Sequence, residues 1–181
     1  MELIGRAGDD PPGDALLLGL SRANVGHVAL LRDPARPTPI LAPAADEPLS
    51  VTSSDAETVA TPGPTATTGP ILEPADVALG LRYLPAYDVI VVTDDVTADV
   101  LPVAVEAAAF ATAHLVVLVG EGSPPPDGLP VDALVLQAPA DDPDGVFSTL
   151  VGAYAAGVAS GQPLADAFTA ATGASWGRPV A

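Results

Sequence analysis

Two uninterrupted apolar runs constrain the fold of this chain more than any other feature. They are DVIVVT at 88–93 and HLVVLV at 114–119. Apolar runs of this length are typical of strands that are buried on both faces of a parallel sheet. Between them, the segment from Thr97 or Asp99 to Thr112 has helical spacing. The pattern therefore predicts an α/β fold, a three-layer α/β/α arrangement around a mostly parallel sheet.

The rest of the chain continues this alternation of strands and helices. Strands are predicted at Glu2–Gly5, His27–Arg32 and Leu134–Leu136, and helices at Asp14–Arg22, Pro74–Leu84, Asp144–Ser160 and Leu164–Thr172. In the helix between the two apolar runs, the residues expected to face inward are Val100, Val103, Ala107, Phe110 and Ala111. Asp9 and Asp10 are interpreted as a turn and a helix cap.

The length of 181 residues suits one domain, which we place at 1–181. Residues 34–74 interrupt it with a stretch rich in Pro, Thr and Ser. Such a composition cannot bury enough apolar surface to offset the entropy of ordering, so 34–74 is predicted to be a loop or linker.

Charge limits the partners of this protein. Twenty-three acidic residues stand against six basic ones, all of them scattered arginines, and the formal net charge is −17. A surface of this sign repels phosphate backbones and anionic membranes, so neither nucleic acid nor membrane is an expected partner. An acidic surface without lysine favours a halophilic, high-salt cytoplasm, because salt screens its self-repulsion. The alternative is an acidic surface retained for a basic partner.

The sequence also indicates where the protein is located in the cell and which kinds of site it lacks. No apolar run approaches the length of a membrane span, and no basic segment followed by an apolar stretch begins the chain, so a cytoplasmic protein is expected. The absence of cysteine excludes disulfides and thiolate chemistry. His27 and His114 are the only histidines and belong to no metal-binding pattern, so no metal site is expected.

Two segments, LIGRAGDDPPGDAL at 3–16 and a second at 142–157, contain motifs that resemble those of the PfkB, or ribokinase-like, carbohydrate kinase family. The first, with Leu20, Val25 and Thr38 after it, is similar to the family's strand, G-x-x-G-D-D-P-x-G-D turn and helix. The second is DPDGVFSTLVGAYAAG at 142–157, which aligns with the family's D-T-x-G-A-G-D-x-F-x-G-A segment. The glycine turn after the run at 114–119 resembles the approach to the family's nucleotide site.

The resemblance implies a reduced ribokinase-like core and an ancestral ATP- and Mg-dependent transfer to a sugar or nucleoside hydroxyl. Family members hold the transferring phosphate on backbone N–H groups of the glycine-rich segment, where an Asp acts as base. By this alignment Ser148 occupies the base position, and Asp144 is the fallback. The positions that the resemblance gives to cofactor binding are Gly120, Gly122, Gly145, Val146 and Phe147.

The second segment departs from the family where the chemistry occurs. Val146 and Phe147 replace small residues, while Asp142 and Asp144 bring carboxylates that occupy the N–H donors and repel a phosphate. An alcohol such as Ser148 is also a poor base. We therefore predict a pseudokinase with no catalytic residues, no cofactor, and a ligand-binding, regulatory or structural role. The alternative is an active kinase with displaced catalytic residues.

Three further features complete the sequence predictions. Asp94 and Asp95 follow a buried strand at the edge where α/β sheets bind ligands; a divalent ion and a solvated turn are the two interpretations. Trp176 is expected to cover a hydrophobic edge. The partner is predicted to be a small metabolite or a protein, and the open edges of a shortened sheet predict a homo- or hetero-oligomer.

Overall fold

The computed structural model describes residues 1–40, 69–84, 86–93 and 96–176, with side chains as far as 173. Most of the predicted 34–74 loop, Asp94–Asp95 and the side chain of Trp176 lie outside the described residues. The described ranges contain five strands and five helices. They alternate along the chain as far as the fourth strand, which is followed by the fifth strand and then by the last two helices, and every strand pair is parallel. The predicted α/β class is confirmed, whereas the ribokinase-like arrangement stays a prediction.

The chain forms two compact units, Met1–Ile71 and Leu72–Ala181, which we call unit 1 and unit 2. The single domain predicted across 1–181 stays a prediction.

Unit 1 is a strand–helix–strand motif made of β1 (Glu2–Gly8), α1 (Pro11–Arg22) and β2 (Gly26–Asp33). β1 and β2 pair in parallel, with Gly5 opposite Leu30 and Gly8 opposite Asp33. The helix begins three residues earlier than predicted because Asp10 caps it and the two prolines that follow fit its first turn. Asn24, just after the helix, takes the left-handed conformation in which many helices end, with φ of 55°.

Unit 2 contains the three-stranded parallel sheet β3 (Val89–Val92), β4 (His114–Val119) and β5 (Leu134–Gln137), in that order. Its helices are α2 (Pro74–Tyr83), α3 (Val100–Ala111), α4 (Val146–Ala159) and α5 (Leu164–Trp176). The predicted positions of these elements are confirmed, with ends that differ by up to four residues.

Alternation along β4 divides the core of unit 2 between the two faces of the sheet. Leu115, Val117 and Val119 pack with α3 on one face. Val116 packs with Tyr154 of α4 and with α5 on the other. Helices thus cover both faces, and this double cover explains why the strand at 114–119 is apolar throughout.

The face that α3 buries differs from the prediction. Its buried residues are Val100, Leu101, Ala104 and Ala108. Phe110 is 91% exposed, and Ala111 is exposed as well, so the prediction that both face inward is wrong. Two residues advance a helix by about 200°, which turns Phe110 away once Ala108 faces the sheet.

Candidate functional site

An open cleft of about 240 Å³ lies at the carboxyl ends of β3 and β4 in unit 2. Its apolar lining includes Val92, Leu101 and Val119, which belong to two strands and the first turn of α3. Parallel strands end here and their connections diverge, which is the usual ligand position in an open α/β sheet. The cleft is the first candidate for a binding site.

Hydroxyl-bearing residues supply the polar part of this lining. Thr93 follows β3, Thr97 precedes α3, and Ser123 lies in the turn after β4. None of the described lining residues carries a charge. In sequence, the acidic pair at 94–95 separates two of the lining residues, Thr93 and Val96. An anion therefore has no described cationic partner in the cleft, whereas a ligand without negative charge matches its lining.

Of the predicted cofactor-binding residues, the cleft includes Gly120 only. Gly120 follows the last residue of β4, and its carbonyl accepts a hydrogen bond of 3.0 Å from the Ser123 N–H. Gly122 closes that turn with φ of 75°, a conformation that glycine adopts without strain. Gly122 is not part of the cleft lining.

The other predicted residues meet at the start of α4, where Gly145 is the N-cap with φ of 65°. The Asp142 carboxylate accepts hydrogen bonds from the Phe147 N–H at 3.1 Å and from the Ser148 N–H at 2.9 Å. It also accepts the Ser148 hydroxyl at 2.8 Å. The prediction that a carboxylate occupies these donors is confirmed for Asp142. Val146, the first helical residue, is exposed.

These hydrogen bonds favour the ionised form of Asp142. The Ser148 N–H and the Ser148 hydroxyl, followed by the Phe147 and Val146 N–H groups, hold the pKa of Asp142 below its ordinary value. A full negative charge therefore lies at the helix start near neutral pH, where it uses the donors and the dipole that would otherwise attract an anion.

A transferring phosphate does not fit this arrangement. It would need N–H donors that Asp142 already holds, and it would approach a carboxylate of its own sign. Ser148, which the resemblance predicts at the base position, donates its hydroxyl proton to Asp142, and as an alcohol it is a poor base for a substrate proton. Asp144, the fallback base, is exposed and lies outside the cleft lining.

In unit 1, an aspartate likewise accepts hydrogen bonds at a helix start, in the turn between β1 and α1. The Asp10 carboxylate accepts the Gly13 N–H at 2.9 Å, together with the N–H and the hydroxyl of Thr38, both at 2.7 Å. The Thr38 hydroxyl in turn accepts the Gly8 N–H at 2.8 Å. The Thr38 hydroxyl, followed by its N–H, lowers the pKa of Asp10. The predicted cap is confirmed, and it also ties the turn to a residue 28 positions away.

A buried pair that the sequence analysis did not identify joins β4 to α4. His114 Nε2 lies 2.8 Å from the Tyr154 hydroxyl, and the two rings meet edge to face. The residues are 40 positions apart, so no spacing in the sequence indicates their contact. The one available signal was a histidine at the start of an otherwise apolar strand.

Comparison with known proteins gives no family for this chain: no family model and no curated protein sequence matches it. The resemblance to ribokinase-like kinases therefore stays a prediction. Among the described residues, no group of three or more His, Asp or Glu is placed to hold a metal ion. None of the helices in the described ranges has the length and apolar character needed to cross a membrane.

Proposed function

We propose that this protein is a degenerate ribokinase-like protein, a pseudokinase that binds a small ligand without negative charge in the cleft of unit 2 and transfers no phosphate. The observation that carries the proposal is the Asp142 carboxylate on the N–H groups of Phe147 and Ser148. Phosphoryl transfer depends on positioning and on stabilising negative charge, and a fixed carboxylate opposes both.

The cleft supports the ligand-binding role. Its aliphatic lining offers a surface for an apolar body, and its three hydroxyl-bearing residues supply polar groups that can orient a ligand. With a volume of about 240 Å³ it suits a small metabolite rather than a macromolecule. We propose that the protein binds its ligand in a high-salt cytoplasm, in keeping with its net charge of −17.

The first experiment tests for phosphotransfer. Calorimetry with ATP–Mg and a coupled assay on a panel of sugars and nucleosides are expected to detect neither nucleotide binding nor turnover. Asp142→Asn removes the charge at the helix start, and Asp141→Asn is the matched control at the exposed neighbouring position. Turnover in the wild-type protein that disappears in Asp144→Asn contradicts the proposal and identifies an active kinase with a displaced base.

The second experiment tests the cleft. A thermal-shift screen of uncharged and cationic metabolites is expected to find ligands that raise the melting temperature. Ala98 lines the cleft, so Ala98→Phe fills it and should abolish the shift. Ala109→Phe, on the exposed face of α3 outside the lining, should leave the shift intact. If both variants change the melting-temperature shift of a ligand equally, that ligand binds outside the cleft.

A third experiment tests the high-salt assignment. Thermal melts in a potassium chloride series are expected to show stability rising toward molar salt, because screening relieves repulsion among 23 acidic side chains. Equal stability at low and molar salt removes the halophilic assignment and leaves the binding proposal untouched.

A further inference from the structure

The contact between His114 and Tyr154 lies at the junction of three elements of unit 2. His114 is the first residue of β4 and is only 8% exposed, while Tyr154 on α4 is 2% exposed. Tyr154 also meets Phe168 of α5 edge to face, with ring centroids 6.0 Å apart. The pair therefore connects the central strand to both helices that cover this face of the sheet.

The two nitrogens of the buried imidazole differ in their hydrogen bonding. Nε2 lies 2.8 Å from the Tyr154 hydroxyl, whereas Nδ1 is buried and makes no hydrogen bond within the described part of the chain. A neutral imidazole that carries its proton on Nε2 donates to the tyrosine and leaves only an unprotonated Nδ1 without a hydrogen bond. An imidazolium carries a donor on both nitrogens, so protonation would leave a charged N–H buried with no acceptor.

Little around the pair stabilises a positive charge. The charged groups on the neighbouring elements are Asp166 on α5, Asp132 before β5 and Asp88 before β3, all of them exposed, and α4 has none. Asp132 acts on His114 and raises its pKa, but burial is the larger cause and lowers it overall. Burial also raises the pKa of Tyr154, which keeps the tyrosine neutral. Both groups are thus favoured in their uncharged forms.

We infer that the His114–Tyr154 pair is a proton-sensitive latch, which holds α4 and α5 on the sheet near neutral pH and releases them on acidification. The unfolded or detached segment binds the proton more readily than the packed one. The stabilisation is therefore lost progressively as the pH falls below 6.5, the ordinary histidine value. α3 packs on the opposite face and is not part of this latch.

Hydrogen exchange read by mass spectrometry tests the inference on the full-length protein at pH 7.5 and pH 5.5, after correction for intrinsic rates. Protection of α4 and α5 is expected to fall by up to about tenfold, because pH 5.5 lies one unit below the ordinary histidine pKa of 6.5 and a detached histidine is then about ten times more often protonated than neutral. Protection of α3 should change much less. His114→Gln keeps a polar partner near the tyrosine but does not titrate, so the loss should disappear in this variant.

His27→Gln is the matched control, because it removes the other histidine and should behave as the wild-type protein does. It also assigns the two imidazole signals in an NMR titration, which serves if His114→Gln does not fold. His114 is expected to titrate below pH 6.5 in the wild-type protein, because burial lowers its pKa. Titration of His114 at or above that pH, or equal loss of protection in α3, α4 and α5, overturns the inference.

Discussion

The two units of this chain are stabilised in different ways. In the described part of unit 1, the buried apolar side chains are only those of Ala7 and Ala29, and the prominent long-range tie is the polar link from Asp10 to Thr38. Unit 2 buries aliphatic side chains on both faces of its sheet, with Leu115 and Val116 almost inaccessible. The same strand–helix–strand pattern can therefore be stabilised by directional hydrogen bonds or by apolar packing.

The largest expected effect comes from the core of unit 2. Leu115→Ala removes a side chain that is 2% exposed and leaves a cavity between β4 and α3. We expect a loss of about 2–5 kcal/mol in the free energy of unfolding, measured by urea denaturation. Leu18→Ala, at a half-exposed position of α1, is the control and should cost much less. Similar costs at both positions would contradict the contrast between the units.

The next effect tests the crowded turn of unit 1. A Cβ at Gly13 would collide with the Gly8 carbonyl oxygen and would lie 3.0 Å from both Asp10 Oδ1 and Thr38 Oγ1. Gly13→Ala should therefore destabilise the protein by about 1–3 kcal/mol in urea denaturation.

Gly19 in the same helix provides the matched control, because an added Cβ there meets nothing within 4 Å. Gly19→Ala should stabilise the protein by about 0.5–1 kcal/mol, the usual gain in a helix interior. If both alanines stabilised, the turn would not be the constrained link that the structure shows.

A third prediction removes one hydroxyl from the same link. Thr38→Val keeps the shape of the side chain but leaves the buried Gly8 N–H without its acceptor and Asp10 without one donor. We expect a cost of about 1–3 kcal/mol and faster hydrogen exchange in β1 and β2. The control is Thr169→Val, which removes an exposed hydroxyl that donates to Ala165 in its own helix. This substitution should change the free energy of unfolding by no more than about 0.5 kcal/mol.

The smallest effect is the response to acid of the two aspartates that accept N–H groups at helix starts, Asp10 at α1 and Asp142 at α4. Both carboxylates have a lowered pKa, so their stabilisation is present above the ordinary value of 3.8 and is lost as the pH falls through the folded pKa. Because Asp10 links distant residues and Asp142 acts within six, acid should weaken β1–β2 pairing more than it weakens α4. NMR exchange rates at pH 5 and pH 3, with Asp10→Asn and Asp142→Asn as references, measure the difference.

Much of the local structure could be predicted from the sequence. The apolar runs gave β3 and β4 to within one residue. Asp10 was correctly interpreted as part of a turn and helix cap, although the helix was predicted to begin at Asp14 and begins at Pro11. The inward face of α3 was predicted less well. Alanines and valines occur on all sides of this helix, so the spacing of its apolar residues did not show that Ala108 faces inward and Phe110 outward.

The candidate site was predictable only in part. Asp142 was expected at the donors of α4, since a carboxylate before a helix start acts over a few residues. The cleft lining includes Thr93, Thr97 and Ser123, which belong to no motif in the sequence. It does not include Gly122 or residues 145–148, which were predicted to bind a cofactor or act as the base. Membership in the cleft depends on where two separate connections converge, the one after β3 and the one after β4, and the spacing along the chain does not specify this.

The sequence by itself determined the order and type of the elements, the parallel α/β class, the Asp10 cap of α1 and the carboxylate of Asp142 on the N–H donors of α4. These features depend on contacts within a few residues and on the alternation of buried positions. Only the tertiary structure decided that Thr38 meets Asp10, that Tyr154 meets His114 and that Phe110 faces solvent. Such pairings follow from how whole strands and helices pack, and packing brings together residues whose separation in the chain carries no information about their distance.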